Sequence, residues 1–146
     1  MRLLEGRRGR FESAASIILF MLELRIQQHF IDSADLQYQA AETLAKPLDA
    51  GVQALMACVT SGGKVLVCGE GSAAALAQYF ASLFVGGFER ERPELAAIAL
   101  RHEGLGDPAY ASLARQVRAL GQAGDVLLLL TSTGEEEGLM RALHAA

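Results

Sequence analysis

The amino-acid sequence predicts an α/β fold, a parallel sheet sandwiched by helices and preceded by two further helices. Three short apolar runs, at 64–68, 95–100 and 126–130, have the profile of strands buried on both faces. Each leads through a polar, glycine-bearing stretch into helix formers with apolar positions at helical spacing. Such a βαβαβα alternation calls for parallel strands with helices on both faces.

The elements follow in order. Between Met21 and Ala45 the residues Leu22, Ile26, Phe30, Ala34, Ala41 and Leu44 recur at helical spacing and predict a long amphipathic helix. Lys46-Pro47 is expected to end it, because the residue before a proline avoids the α region. A second helix from about Leu48 to Thr60 carries the stripe Leu48, Val52, Leu55, Met56 and Val59, and Ser61-Gly62-Gly63 stops it. The first strand, Lys64 to Cys68, turns through Gly69-Glu70-Gly71-Ser72 into a helix over Ala73 to Phe84. The charged run Glu89 to Pro93 predicts a solvated loop or an intersubunit rim. Leu95 to Leu100 is the second strand, Arg101 to Pro108 a polar loop, and Tyr110 to Leu120 a helix. Val126 to Leu130 is the third strand, Thr131 to Gly134 a second hydroxyl-and-glycine turn, and Glu135 to Ala146 begins the last helix.

At 146 residues the chain fits one domain with a real core. Its 51% apolar and 21% charged residues are those of a globular protein. A net charge of −4 argues against a surface for nucleic acid, which needs clustered Lys and Arg. Cys58 and Cys68 form no CxxC pair, so a reducing cytoplasm is the expected setting. Residues 1–20 read as an N-terminal extension, or as a start placed upstream of the true one, with the domain over 21–146. The apolar stretch Ala14 to Leu22 is too short to span a bilayer, and no membrane association is expected.

In a parallel sheet, ligands sit beyond the carboxyl ends of the strands, where both polar turns fall. A strand, a glycine turn and a helix N-terminus bring unpaired N–H groups and a positive dipole end to one point, which suits an anion. Gly69, Glu70, Gly71 and Ser72, with Thr131, Ser132 and Thr133, are therefore the candidate binding residues for a phosphorylated small molecule. A ligand-free βα connection, and N-capping by Ser132 or Thr133, call for the same residue types. Gly69 to Ala74 also satisfies the dinucleotide pattern GxGxx(G/A), but Arg101 follows the second strand where that motif wants an acid. Arg101 and His102 offer positive charge to an anionic ligand instead. His29, His102 and His144 lie far apart without ligand spacing, so neither a metal nor a cofactor is expected. Cys68 reads as a small buried thiol.

The stretches GGKVLVCGEGSAAALAQYFA, FERERPELAAIAL and RQVRALGQAGDVLLLLTSTG, behind two leading helices, resemble the SIS (sugar isomerase) domain over residues 22–146. The nearer likeness is to the branch containing phosphoheptose isomerase and the DnaA initiator-associating protein. The resemblance implies a flavodoxin-like SIS sandwich, commonly a homotetramer, whose two turns hold a sugar phosphate. It also implies that further strands and a histidine-bearing helix follow, so a partial, C-terminally truncated domain is expected at Ala146, with Val126 to Leu130 at a sheet edge.

Departures from the family pattern bear on function. Glu70 stands where the family has asparagine, Ala73 where it has serine, and Glu135, Glu136 and Glu137 follow the second turn. Tyr79 and Leu83 align with the histidine and glutamate that serve metal binding and proton transfer in the isomerase, and Leu83 cannot abstract a proton. No catalytic residue is therefore assigned. The expectation is a non-catalytic oligomeric regulator of replication initiation that binds DnaA and retains a degenerate phosphosugar pocket. The alternative is a phosphoheptose isomerase acting on sedoheptulose 7-phosphate.

Overall fold

The structure is a computed structural model that describes residues 2–101 and 109–146, and of residues 2–18, 109 and 110 the backbone alone. The expected loop over Arg101 to Pro108 lies, beyond its first residue, outside the described residues. The chain divides into two compact units, Met1–Asp49 and Ala50–Ala146.

The first unit is made of α1, a helix assigned over Arg2–Thr60 that continues into the second. Phe30, Leu36 and Tyr38 are exposed along it. The break expected at Lys46-Pro47 does not occur, and one helix replaces two because Pro47 lies inside α1. A proline within a helix loses one rung of the hydrogen-bond ladder, at a cost of about 3 kcal/mol. Strong helix formers on either side, from Ala40 to Lys46 and then Leu48 and Ala50, supply the remaining rungs. The avoidance of the α region before proline is a preference that Lys46 overrides.

The second unit holds β1 (Val65–Gly69), α2 (Ala73–Gly86), β2 (Ala97–Ala99), α3 (Ala109–Leu120), β3 (Val126–Leu130) and α4 (Glu137–Leu143). The strands form a parallel sheet in the order β2-β1-β3. The expected parallel α/β architecture is present. β2 is shorter than the apolar run that predicts it, and among the described residues β3 pairs only with β1, at an edge.

Alternation along β1 builds the two halves of the core, because successive strand residues face opposite sides of the sheet. Val65 and Val67 pack with Cys58, Ala77 and Ala81. Leu66 and Cys68 pack on the other face with Leu113, Val117, Leu139 and Ala142. The buried stripe of α2 is Ala73, Ala77 and Ala81, small side chains that let the helix axis lie close to the sheet. Phe80 and Phe84 stack at 4.9 Å beside it. All of β1 is buried, which satisfies the reading of that run as a two-sided core strand.

The charged run after α2 holds a structural cation. Arg92 donates to the carbonyls of Leu83 at 2.7 Å and Phe84 at 3.0 Å, two acceptors near the end of α2 that lack helical partners. Arg92 is half-buried, while Glu89, Arg90 and Glu91 are exposed as expected.

Candidate functional site

The register that pairs Gly69 with Leu130 sets the two turns side by side. The residues that follow, Glu70 and Thr131, leave adjacent strands at the carboxyl edge of the sheet. The sequence-predicted binding residues are thus brought together by the β1–β3 pairing.

In the first turn Gly69 is buried, and a Cβ there would meet the Ala73 carbonyl oxygen at 2.5 Å. Only glycine allows that approach of the turn to the start of α2. Gly71 adopts φ 56° and lets the chain reverse. The N–H groups of Ala73 and Ala74 donate to the carbonyls of Glu70 and Gly71, at 3.0 and 3.3 Å. Ser72 is exposed at the N-cap, and its side chain makes no capping bond. Beneath the turn, burial and then the charge of Glu70 push the Cys68 thiol up to about 11, so it stays protonated and acts as the apolar filler expected.

The second turn is differently occupied. The Thr131 hydroxyl donates to the Glu136 carboxylate, and its oxygen accepts the Gly134 N–H at 2.7 Å and the Thr133 N–H at 3.3 Å. The Thr133 hydroxyl accepts the Glu135 N–H at 3.3 Å. Hydrogen bonds from the Thr131 hydroxyl foremost, then the Glu136 N–H, the Thr133 hydroxyl and the Ser132 N–H, hold the Glu136 carboxyl at about 2. Glu136 is itself the N-cap residue of α4 and is extended, with ψ 116°. Thr131, Ser132 and Thr133 are exposed. The last helix therefore starts at Glu137, two residues later than its composition predicts, because Gly134 (φ 79°) and the hydroxyl turn take up the preceding residues.

On α2, Tyr79 is 59% exposed and Leu83 half-buried. Arg101 reaches α2. With the Gln78 amide oxygen turned toward it, that oxygen accepts from Arg101 Nη2 at 2.8 Å and Nε at 2.6 Å. His102 lies outside the described residues. His144 is exposed and its Nδ1 sits 2.7 Å from the Met140 carbonyl oxygen. Among the described residues, no three His, Cys, Asp or Glu side chains gather to hold a metal ion. None of the described helices is long and apolar enough to cross a membrane. A groove of about 370 Å³ lined by Val117, Gly121, Asp125, Leu127 and Ala146 opens at the amino end of β3, away from the turns.

Residues 28–146 match the SIS domain family. The chain belongs to the SIS domain family. A phosphoheptose isomerase from Methylibium petroleiphilum is 54% identical over 133 residues, 86% of this chain and 66% of the relative. The DnaA initiator-associating protein DiaA from Yersinia pestis is 42% identical over 136 residues, 86% of this chain and 67% of the relative. Among solved structures, phosphoheptose isomerase GmhA from Neisseria gonorrhoeae superposes with a TM-score of 0.76 at 33% identity, covering 86% of this chain and 68% of that one. The chain thus spans 66% of the length of the first of these relatives. The SIS fold expected from the resemblance is present, and Glu136 is the residue at its edge that sequence reasoning passed over. Three consecutive glutamates after TSTG announce a departure from the family turn, but nothing in them tells which one folds back.

Proposed function

We propose that this SIS-domain protein is non-catalytic and acts as an oligomeric regulator of replication initiation that binds DnaA. One observation carries the reading: Leu83 stands at the α2 position that the family resemblance gives to the proton-transfer carboxylate. A hydrocarbon side chain neither takes nor gives a proton, and aldose–ketose isomerisation needs both. Tyr79 stands in place of the accompanying histidine and offers a phenol where the family has an imidazole. The likeness to the DnaA initiator-associating protein supplies the partner.

The exposed apolar side chains of Leu76, Tyr79, Val85 and Phe88 favour an assembly that covers them, and a homotetramer is the form proposed. The cytoplasm, where the initiator works, is the proposed compartment. The test is capture of purified DnaA by the purified chain, with oligomeric mass measured in the same buffer. Saturable capture by a tetramer supports the reading, and turnover of sedoheptulose 7-phosphate would sink it.

A second reading, phosphoheptose isomerase, is favoured by the 54% identity to a protein of that name. It requires another group to replace Leu83 as base. Turnover abolished by Thr131→Ala would be its signature.

A further inference from the structure

We propose that Glu136 is a specificity-determining residue whose carboxylate takes the Thr131 hydroxyl of the β3–α4 turn for itself, so that this edge of the sheet refuses phosphate monoesters. A turn of hydroxyls and backbone N–H groups selects an anion by converging several donors on it. Here the donors are already engaged within the chain. The Thr131 hydroxyl has one hydrogen, and it is given to Glu136. The Thr131 oxygen in turn accepts the Gly134 N–H at 2.7 Å and the Thr133 N–H at 3.3 Å, and the Thr133 hydroxyl accepts the Glu135 N–H at 3.3 Å, so the turn's N–H groups are also engaged within the chain.

An external phosphate would have to displace a ligand tethered within the same turn, which competes at an effective concentration no dilution lowers. It would also meet like charge. Glu135 and Glu137 flank the turn, and Glu70 leaves the neighbouring strand. Arg141, bonded to Glu137 at 2.6 Å, offsets one of these charges. The inference rests on the non-catalytic reading and names what the same edge rejects.

The experiment follows the backbone amide resonances of Ser132, Thr133 and Gly134 while inorganic phosphate is raised to about 20 mM, far above a millimolar Kd. The wild type is expected to show no saturable shift at these amides. Glu136→Ser, which removes the carboxylate and supplies a hydroxyl in its place, is expected to bind at least about tenfold tighter. Saturable shifts in the wild type, or a folded Glu136→Ser that behaves like it, would overturn the proposal. Should that variant not fold, the Glu136 carboxyl carbon of the wild type decides: titration far below the usual 4.5 supports the proposal, and titration near 4.5 overturns it. DnaA capture and sugar-phosphate turnover on the same sample keep the two readings apart. Phosphate at these amides without turnover sinks this inference alone.

Discussion

Asp125 clasps Lys64 across the amino ends of β3 and β1. Its Oδ1 accepts the Lys64 N–H at 2.9 Å, and Oδ2 accepts Lys64 Nζ at 2.5 Å and the Gln122 N–H at 2.8 Å. The next residue pair, Val65 and Val126, starts the β1–β3 ladder. That ladder fixes which turn residues meet at the far edge, so the clasp sets the register of the candidate site from the opposite end of the sheet. Asp125→Ala is expected to lower Tm by about 5 °C, since it leaves partly buried donors unpaired. A thermal melt measures it. An unchanged Tm would mean that the apolar ladder sets register unaided.

The same clasp makes a pH prediction. The hydrogen bond from the Lys64 side chain, followed by that from its backbone N–H, holds the Asp125 carboxyl below its usual 3.8. A depressed carboxyl contributes stability above its unfolded value, and loses it as pH falls through the folded one. Wild-type stability is therefore expected to fall below about pH 4 more steeply than that of Asp125→Asn. Urea midpoints across pH 2 to 7 measure the difference, as roughly parallel curves would refute it.

Glu136 adds a second acid limb over a wider window. Its carboxyl moves from the usual 4.5 to about 2, so its stabilisation is whole above pH 4.5 and lost on descending to about 2. Glu136→Gln is expected to flatten that limb while leaving the Asp125 limb in place. The two carboxylates lie at opposite ends of β3, so the effects of the two variants should add in the double variant.

Gly69→Ala forces a methyl group to 2.5 Å from the Ala73 carbonyl oxygen, a backbone atom that cannot swing aside. A loss of about 2–3 kcal/mol is expected, from strain where β1 passes into α2. Chemical denaturation reads it out. Gly71→Ala meets no nearby atom but must hold φ 56°, and is expected to lose about 1 kcal/mol.

Arg92→Lys tests the cap on α2. Lysine keeps the charge but not the planar fork that reaches both Leu83 and Phe84. A loss of about 1 kcal/mol is expected, with faster amide exchange confined to the last turn of α2. Equal stability of the two proteins would assign Arg92 to solvent, as the charge run by itself would have it.

The central strand was legible because a two-sided core strand must be apolar, and Val65 to Cys68 is apolar and fully buried, whereas the equally apolar Val126 to Leu130 is half-buried at the sheet edge. The glycines of the first turn were legible for a similar reason, since Gly69 and Gly71 stand where a side chain is sterically or conformationally excluded. Pro47 misled because a local preference against helix is weaker than the run of helix formers around it. Arg92 and Arg90 look alike in FERERP, and only the path of the chain after α2 brings one of them to the Leu83 and Phe84 carbonyls. TSTGEEE contains three carboxylates within reach of the same hydroxyls, and sequence order does not rank them.

Periodicity and the patterning of apolar runs depend on each residue's own chemistry, and so the sequence alone determined the α/β order, the central strand and the two facing turns. The partner of each hydrogen bond depends on where distant segments arrive. Tertiary structure alone decided that Asp125 holds Lys64, that Arg92 closes α2, and that Glu136 fills the second turn. A donor selects its acceptor by distance and direction, and these are defined only once the sheet has set its register.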